Sequence, residues 1–136
     1  MAIVDNYLDI PGLIASTDLS GSQYRAVKME GSTDFYVAAM TNANAEHPIG
    51  ILQNDPDAEG QGATVAYCGV CRAEAGGNIT VGNPLACDNN GKLIADVEVA
   101  DGSAVDLHHI AIALEGGVNT QIISVLLKPA QRIGLE

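Results

Sequence analysis

Short apolar runs, separated by clusters of Gly, Asn and Asp, recur along the chain from Ser22 onward. Such runs bounded by turn residues are typical of β-strands. We predict strands at residues 23–29, 35–40, 48–52, 64–73, 79–81, 85–87, 92–97, 108–114 and 121–128. No segment keeps a 3.6-residue apolar period over three turns, the pattern of an amphipathic helix. The sequence therefore predicts an all-β fold, either a β-sandwich or a β-barrel.

The last predicted strand, at 121–128, is mostly apolar on both faces. One face carries Ile123, Val125 and Leu127, and the other carries Ile122, Ser124, Leu126 and Lys128. A strand of this kind is typically buried on two sides, inside a barrel or at a subunit interface. Pro129 is expected to end the strand, because proline has no N–H to donate to a ladder.

The dipeptide Asn90-Gly91 separates two of the predicted strands. A two-residue type I′ turn needs positive φ at both central positions, which Asn and Gly tolerate best. We therefore expect a tight β-hairpin with a type I′ turn at this point of the chain.

Residues 1–20 lack the sustained alternation of the later strands and contain the turn signal Pro11-Gly12. They carry five large apolar side chains, Tyr7, Leu8, Ile10, Leu13 and Ile14. We therefore divide the chain into an irregular N-terminal arm at 1–20 and a β-domain at 21–136. Two interpretations of the arm are open: it packs on its own domain, or its apolar side chains dock on a neighbouring subunit.

Acidic residues outnumber basic ones by 17 to 6, which gives a formal net charge of -11. The Lys and Arg residues are scattered, whereas nucleic-acid binding requires them to neutralise phosphates in a patch or stripe. We therefore expect no direct contact with nucleic acid. No window approaches the roughly 20 apolar residues of a membrane-spanning helix, so no membrane partner is predicted either.

The N-terminal sequence MAIVDNYLDIP lacks the basic start and the unbroken apolar stretch of a secretion signal. A protein without such a signal is expected to remain in the reducing cytoplasm in which it is made, where disulfides are rare. The 3 cysteines, an odd number, fit free thiols.

Cys68, Cys71 and Cys87 support an alternative function as a small metal-binding or ligand-binding β-barrel. A redox CxxC site needs a helix after its first cysteine, but Cys68 and Cys71 fall within a predicted strand. A zinc site would need two more ligands, and Cys87, His108 and His109 supply them only if the fold gathers them. We predict no cofactor, metal or catalytic residue, because no convergent set of acids, bases and aromatics is visible.

Five short segments carry a resemblance to a known family: GILQN at 50–54, VCRAEAGGNITVGNPL at 70–85, DNNGK at 88–92, IAIALEGG at 110–117 and IISVLL at 122–127. In this order they resemble the capsid decoration, or cement, proteins of tailed bacteriophages. The resemblance runs from about residue 22 to 128. Residues 1–20 match no motif of the family, and neither the cysteines nor the histidine pair belong to its pattern.

The resemblance implies a compact, tulip-like β-barrel that forms homotrimers on the outer capsid surface of the virion. It also implies that the chain binds the major capsid protein and stabilises the shell as a structural protein, not as an enzyme. On this basis we expect the capsid to be contacted by Tyr7, Leu8, Ile10, Leu13 and Ile14. We expect the trimer interface to include Val125 and Leu127.

Overall fold

The computed structural model describes residues 5–43, 45–95 and 108–132. Apart from one 3₁₀ turn at Ser20–Ser22, the regular structure in these ranges is entirely β, which confirms the all-β prediction. The strands are β1 (Asn6–Asp9), β2 (Ile14–Ala15), β3 (Ala26–Met29), β4 (Tyr36–Ala39), β5 (Pro48–Leu52), β6 (Val65–Glu74), β7 (Pro84–Cys87), β8 (Leu93–Ala95), β9 (His108–Ala113) and β10 (Ile122–Arg132). The same ranges contain no helix with the length and apolar character needed to cross a bilayer.

The strands form one sheet in the order β2-β4-β3-β5-β6-β10-β9-β7-β8, and β1 also pairs with β6. All of these pairs are antiparallel except β2–β4. In the described ranges, strand pairing alone does not close the predicted barrel, because the path ends at β2 and β8. One parallel bridge between Ala75 and Leu93 nevertheless joins the end of β6 to β8. Five strands, in the sheet order β6-β10-β9-β7-β8, therefore form a barrel-like ring. The ring is closed between β8 and β6 by this single bridge.

Two apolar clusters form the core. The first cluster contains buried side chains of the ring, such as Leu85 and Ile123, and the second contains Leu13 and Val37. Three strands contribute to both clusters through adjacent residues: Ala26 and Val27 in β3, Ile51 and Leu52 in β5, and Ala66 and Val65 in β6. Because adjacent residues of a strand face opposite sides, these three strands are buried on both faces inside a single chain.

The sequence predicted that β10 is buried on both faces. In the structure it is buried on one face only. Val125 and Leu127 are 0% and 2% exposed and belong to the first cluster, whereas Leu126 on the alternate face is 41% exposed. β10 also continues beyond Pro129, so the prediction that this proline ends the strand is wrong. The register with β9 shifts between Leu127 and Gln131, and such an irregularity accommodates a residue that cannot donate to the ladder.

The N-terminal segment is part of the sheet. β1 pairs antiparallel with β6, and β2 pairs parallel with β4. Leu13, Ala15 and Leu19 are buried in the second cluster. In the described part of this segment, residues 5–20, two short strands thus stand where the sequence predicted an irregular arm. The structure supports the interpretation in which the segment packs on its own domain.

The turn between β7 and β8 forms the predicted hairpin, but the turn is not of type I′. Only Gly91 has a positive φ, of 82°, while Asn90 does not. The backbone carbonyl of Asp88 accepts a hydrogen bond from Gly91 N at 3.0 Å, and Asp88 N donates to Lys92 O at 2.8 Å. A Cβ on Gly91 would lie 2.6 Å from the carbonyl oxygen of Ala26, so glycine is required both by the turn and by the close approach of β3.

Candidate interaction surface

Most of the large apolar side chains that remain exposed lie on the β9–β10 hairpin or on a loop joined to it. Five of them, which we call the hairpin surface, are 36% to 64% exposed: Val81, Leu114, Val118, Ile122 and Leu126. The other exposed large apolar residues of the described chain are Leu8, Met29 and Phe35. Because exposed apolar side chains gathered on neighbouring segments often mark an interaction site, the hairpin surface is the first candidate.

A row of apolar residues crosses the outer face of four strands. Leu126 of β10 lies opposite Val70 of β6 and opposite Ile112 of β9, and Ile112 lies opposite Pro84 of β7. Residues directly opposite one another in a sheet project to the same face. Val70, Ile112 and Pro84 are all partly exposed. The row therefore extends the hairpin surface across the sheet.

Hydrogen bonds fix the loops that carry Val81 and Val118. Ile79 N donates to Gly117 O at 2.8 Å, and Gly117 N donates to Ile79 O at 3.0 Å, which joins the two loops. A Cβ on Gly117 would lie 2.6 Å from Ile123 Cγ2, so a larger residue would displace a core side chain. The hairpin surface is thus held in place before any partner binds, which lowers the entropy lost on association.

The residues predicted to contact the capsid lie in different environments. Only Leu8 is largely exposed, at 59%. Tyr7 packs against the first cluster, and burial raises the pKa of its phenol. Ile10 packs against the second cluster, Leu13 is buried within it, and Ile14 is partly buried in β2. Tyr7, Ile10 and Leu13 therefore contribute to the core of their own chain, and Leu8 is the most exposed of the five.

Val125 and Leu127, predicted at a trimer interface, are core residues of the single chain. Side chains that are 0% and 2% exposed have no surface left for another subunit. The exposed apolar residues of the same strand are Ile122 and Leu126. The apolar pattern thus indicated the correct strand, but it could not distinguish its inner face from its outer face.

A second exposed apolar group lies where β3 turns into β4. Met29 and Phe35 are 41% and 59% exposed, and we call residues 29–35 the tip surface. Phe35 has a φ of 65°, a left-handed conformation that costs a residue with a side chain about 1–2 kcal/mol. Strain of this kind persists only where the surrounding structure imposes it. Sequence reasoning missed this surface, because Phe35 begins an apolar run that resembles a core strand.

Four of the 6 basic residues form ion pairs within the chain, with three carboxylates between them. The ion pairs are Arg25–Glu74 (3.1 Å), Lys92–Glu74 (3.4 Å), Arg72–Asp5 (3.5 Å) and Lys28–Glu46. The net charge of -11 therefore comes with little unpaired positive charge on the described surface. Such a protein is attracted to basic partner surfaces and repelled by acidic ones.

Glu46 is held in its charged form beside β3. Burial alone would raise its pKa, but hydrogen bonds from Lys28 Nζ, the Thr41 hydroxyl and the backbone N–H groups of Asn42 and Thr41 outweigh this effect and lower the pKa to about 2. The backbone bonds measure 2.8 Å from Thr41 N and 2.7 Å from Asn42 N. The carboxylate thereby ties the loop after β4 to β3.

The three cysteines do not come together in a chemical site. Cys71 and Cys87 are buried in the first cluster, and burial raises the pKa of each thiol to about 12. Cys68 is partly exposed. Within residues 5–43, 45–95 and 108–132, no group of three His, Cys, Asp or Glu side chains could hold a metal ion. In this part of the chain the cysteines therefore form no metal site.

Comparison with known proteins gives a structural match and no sequence match. No protein-family model and no curated protein sequence matches the chain. One similar solved structure is the head fiber gp8.5 N base in bacteriophage phi29, with a TM-score of 0.58 and 19% sequence identity. The match covers 88% of this chain and 92% of that chain. The chain therefore shares its all-β fold with the N base of a phage head fiber.

Proposed function

We propose that this protein is a structural component of a bacteriophage virion and binds the phage head. The observation that carries the proposal is the fold shared with the N base of the phi29 head fiber over 88% of this chain. The ordered motifs that resemble decoration proteins of tailed phages support the same class of function. The first argument depends on backbone geometry and the second on sequence.

The finer proposal is a decoration, or cement, protein on the outer surface of the capsid. It binds the major capsid protein as a homotrimer, stabilises the shell, and acts by binding and not by catalysis. A ligand that binds the assembled shell but not its separated subunits shifts the equilibrium towards the shell. Linking three copies raises the effective concentration for the second and third contacts once the first has formed.

The hairpin surface supplies the contact between copies in this proposal. Its apolar composition is that of the core of a homo-oligomer interface, and the bridge between Ile79 and Gly117 keeps its loops rigid. In this proposal the contact between copies is made by the exposed Ile122 and Leu126, and not by the buried Val125 and Leu127.

Binding to the shell is tested with particles assembled from the major capsid protein of the genome that encodes this chain. The purified protein is mixed with the particles and sedimented, and the melting temperature of the particles is measured with and without it. We expect saturable binding and a higher melting temperature. Protein that stays in the supernatant at every concentration would refute the proposal.

Self-association is tested separately by light scattering on the free protein. A homotrimer has about three times the 14.0 kDa mass of one chain. Leu126→Ser should reduce the measured mass to that of the monomer without changing the circular dichroism spectrum. Leu8→Ser, at an exposed leucine outside the hairpin surface, is the matched control and should leave the mass unchanged. A wild-type monomer at high concentration would contradict the preformed trimer.

A further inference from the structure

Phe35 combines exposure with backbone strain. It is the single phenylalanine of the chain, it is 59% exposed, and its φ is 65°. Neither property stabilises the free protein, because an exposed ring keeps its apolar area in water and the left-handed region disfavours bulky side chains. A residue that is unfavourable in the free protein on both counts indicates a contact outside the chain.

The backbone around Phe35 is fixed by hydrogen bonds to neighbouring segments. Ile14 N donates to Phe35 O at 2.9 Å, Glu30 N donates to Tyr36 O at 2.8 Å, and Tyr36 N donates to Thr33 O at 3.4 Å. These bonds hold the start of β4 against both β2 and β3. The backbone that carries the ring is therefore ordered before a partner arrives, which reduces the backbone ordering needed on binding.

The surface beside Phe35 has depressions that a partner could fill. One, of about 480 Å³, is lined by Met29 and residues 31–35. The other, of about 350 Å³, is lined by Lys28, Met29, Glu46, His47 and Ile49. Met29 borders both, and the flexible methionine side chain adapts to the shape of a partner. The tip surface thus offers a projecting ring next to an adaptable, partly concave area.

The charge of the tip surface is acidic. No Lys or Arg occurs in the sequence between Lys28 and Arg72, and Lys28 is already paired with Glu46. Glu30 and Asp34 lie within the tip surface, and neither takes part in the ion pairs of the described residues. A partner that covers this surface must therefore supply the compensating positive charge.

We propose that the tip surface is the docking element for a protein partner whose binding site is an apolar pocket with Lys and Arg side chains on its rim. Phe35 enters the pocket, Met29 covers its edge, and Glu30 and Asp34 pair with the rim. This inference rests on the proposed function and deepens it, with a major capsid subunit as the partner. It assigns the contact with the shell to the β3–β4 turn and leaves the hairpin surface for contacts between copies.

The first test measures binding of the full-length protein to the capsid-protein particles by co-sedimentation. Phe35→Gly removes the ring and relieves the strained φ, while Phe35→Leu keeps a large apolar side chain and is the matched control. Binding of Phe35→Gly should weaken by about 30-fold or more, because aromatic anchors dominate such interfaces. Phe35→Leu should lose much less. The unfolding midpoint of Phe35→Gly should stay at or above that of the wild type, which separates lost contact from misfolding.

A charge reversal tests the basic rim. Asp34→Lys should weaken binding, whereas Asp57→Lys, the same change in an exposed loop outside the tip surface, should not. Equal binding of these two variants would contradict the proposal that Lys and Arg side chains line the rim of the partner's pocket. If the wild type binds and Phe35→Gly binds equally well, this inference fails and the proposed function stands. If the wild type does not bind the particles, both fail.

Discussion

Alanine substitutions of Leu126 and Leu127 remove the same atoms from opposite faces of β10. Leu127 is 2% exposed and packs in the first cluster, whereas Leu126 is 41% exposed. Each buried methylene contributes about 0.8 kcal/mol, and the cavity left behind adds to the loss. Leu127→Ala should therefore lower the free energy of unfolding by about 3 kcal/mol. Leu126→Ala should change the stability of the monomer by less than about 0.5 kcal/mol.

Urea unfolding at low protein concentration, followed by circular dichroism, measures both changes. The loss expected for Leu127→Ala corresponds to a melting temperature about 10 °C lower for a domain of this size. The proposed homotrimer predicts that the wild type melts at a higher temperature at high concentration than at low concentration, because self-association would stabilise the folded chain. Leu126→Ala should remove that dependence. Equal losses for the two variants at low concentration would refute the assignment of one buried face and one open face.

Three further predictions concern the core, the acid sensitivity and the thiols. Gly50→Ala should lower the free energy of unfolding by at least about 2 kcal/mol, because the added Cβ would lie 2.1 Å from Ala66 O. Gly62→Ala is the control: its added Cβ would meet nothing within 4 Å, so the free energy of unfolding in the same urea assay should hardly change. The pKa of Glu46 is lowered from 4.5 to about 2 in the folded protein, so its contribution to stability is present above about pH 4.5 and is lost as the pH falls towards 2. Glu46→Gln should flatten the dependence of the unfolding midpoint on pH in this window, and parallel profiles would argue against the role given to this carboxylate. A thiol reagent should modify Cys68 quickly in the native protein. It should modify Cys71 and Cys87, which are buried and whose pKa is raised to about 12, only on unfolding. Rapid modification of all three cysteines in the native protein would contradict the buried core.

Strand positions were predictable where apolar runs are bounded by turn residues. β5 coincides with the predicted run at 48–52, and β4, β6, β7 and β9 lie within one residue of their predicted bounds. Glycine and asparagine favour turns through their own backbone preferences, so they mark where ladders end. This information is local, so it is readable from one sequence without knowledge of the tertiary fold.

The faces of the strands were not predictable in the same way. β5 and β10 are both apolar on two faces, yet only β5 is buried on both. The second face of β5 is covered because Leu13 and Leu19 pack with Leu52 in the second cluster. Those residues lie far away in the sequence and outside the strands, in a segment with no apolar period. Whether a second apolar face is core or surface therefore depends on tertiary packing, which the pattern does not contain.

The tip surface could be predicted from the sequence only in part. Phe35 occupies a left-handed conformation that normally selects glycine, so its turn has no recognisable turn residue at that position. The absence of Lys and Arg between Lys28 and Arg72 was visible in the sequence. It became meaningful only when the structure placed Asp34 with Phe35 around one depression and paired the backbone of Glu30 with Tyr36. Net charge alone does not locate a binding site.

The position of β6 between early and late strands has a consequence for synthesis of the protein. Residues 69–74 of β6 pair with β10, which is about 50 residues further along the chain, and Cys71 and Ala73 are buried in the same cluster as β10. While a ribosome is still translating that interval, this stretch of β6 lacks its partner. An unpaired apolar strand edge recruits other chains, and closure of so distant a pair is slow. A truncated product that ends before β10 should therefore aggregate in the cell, although every earlier strand is intact.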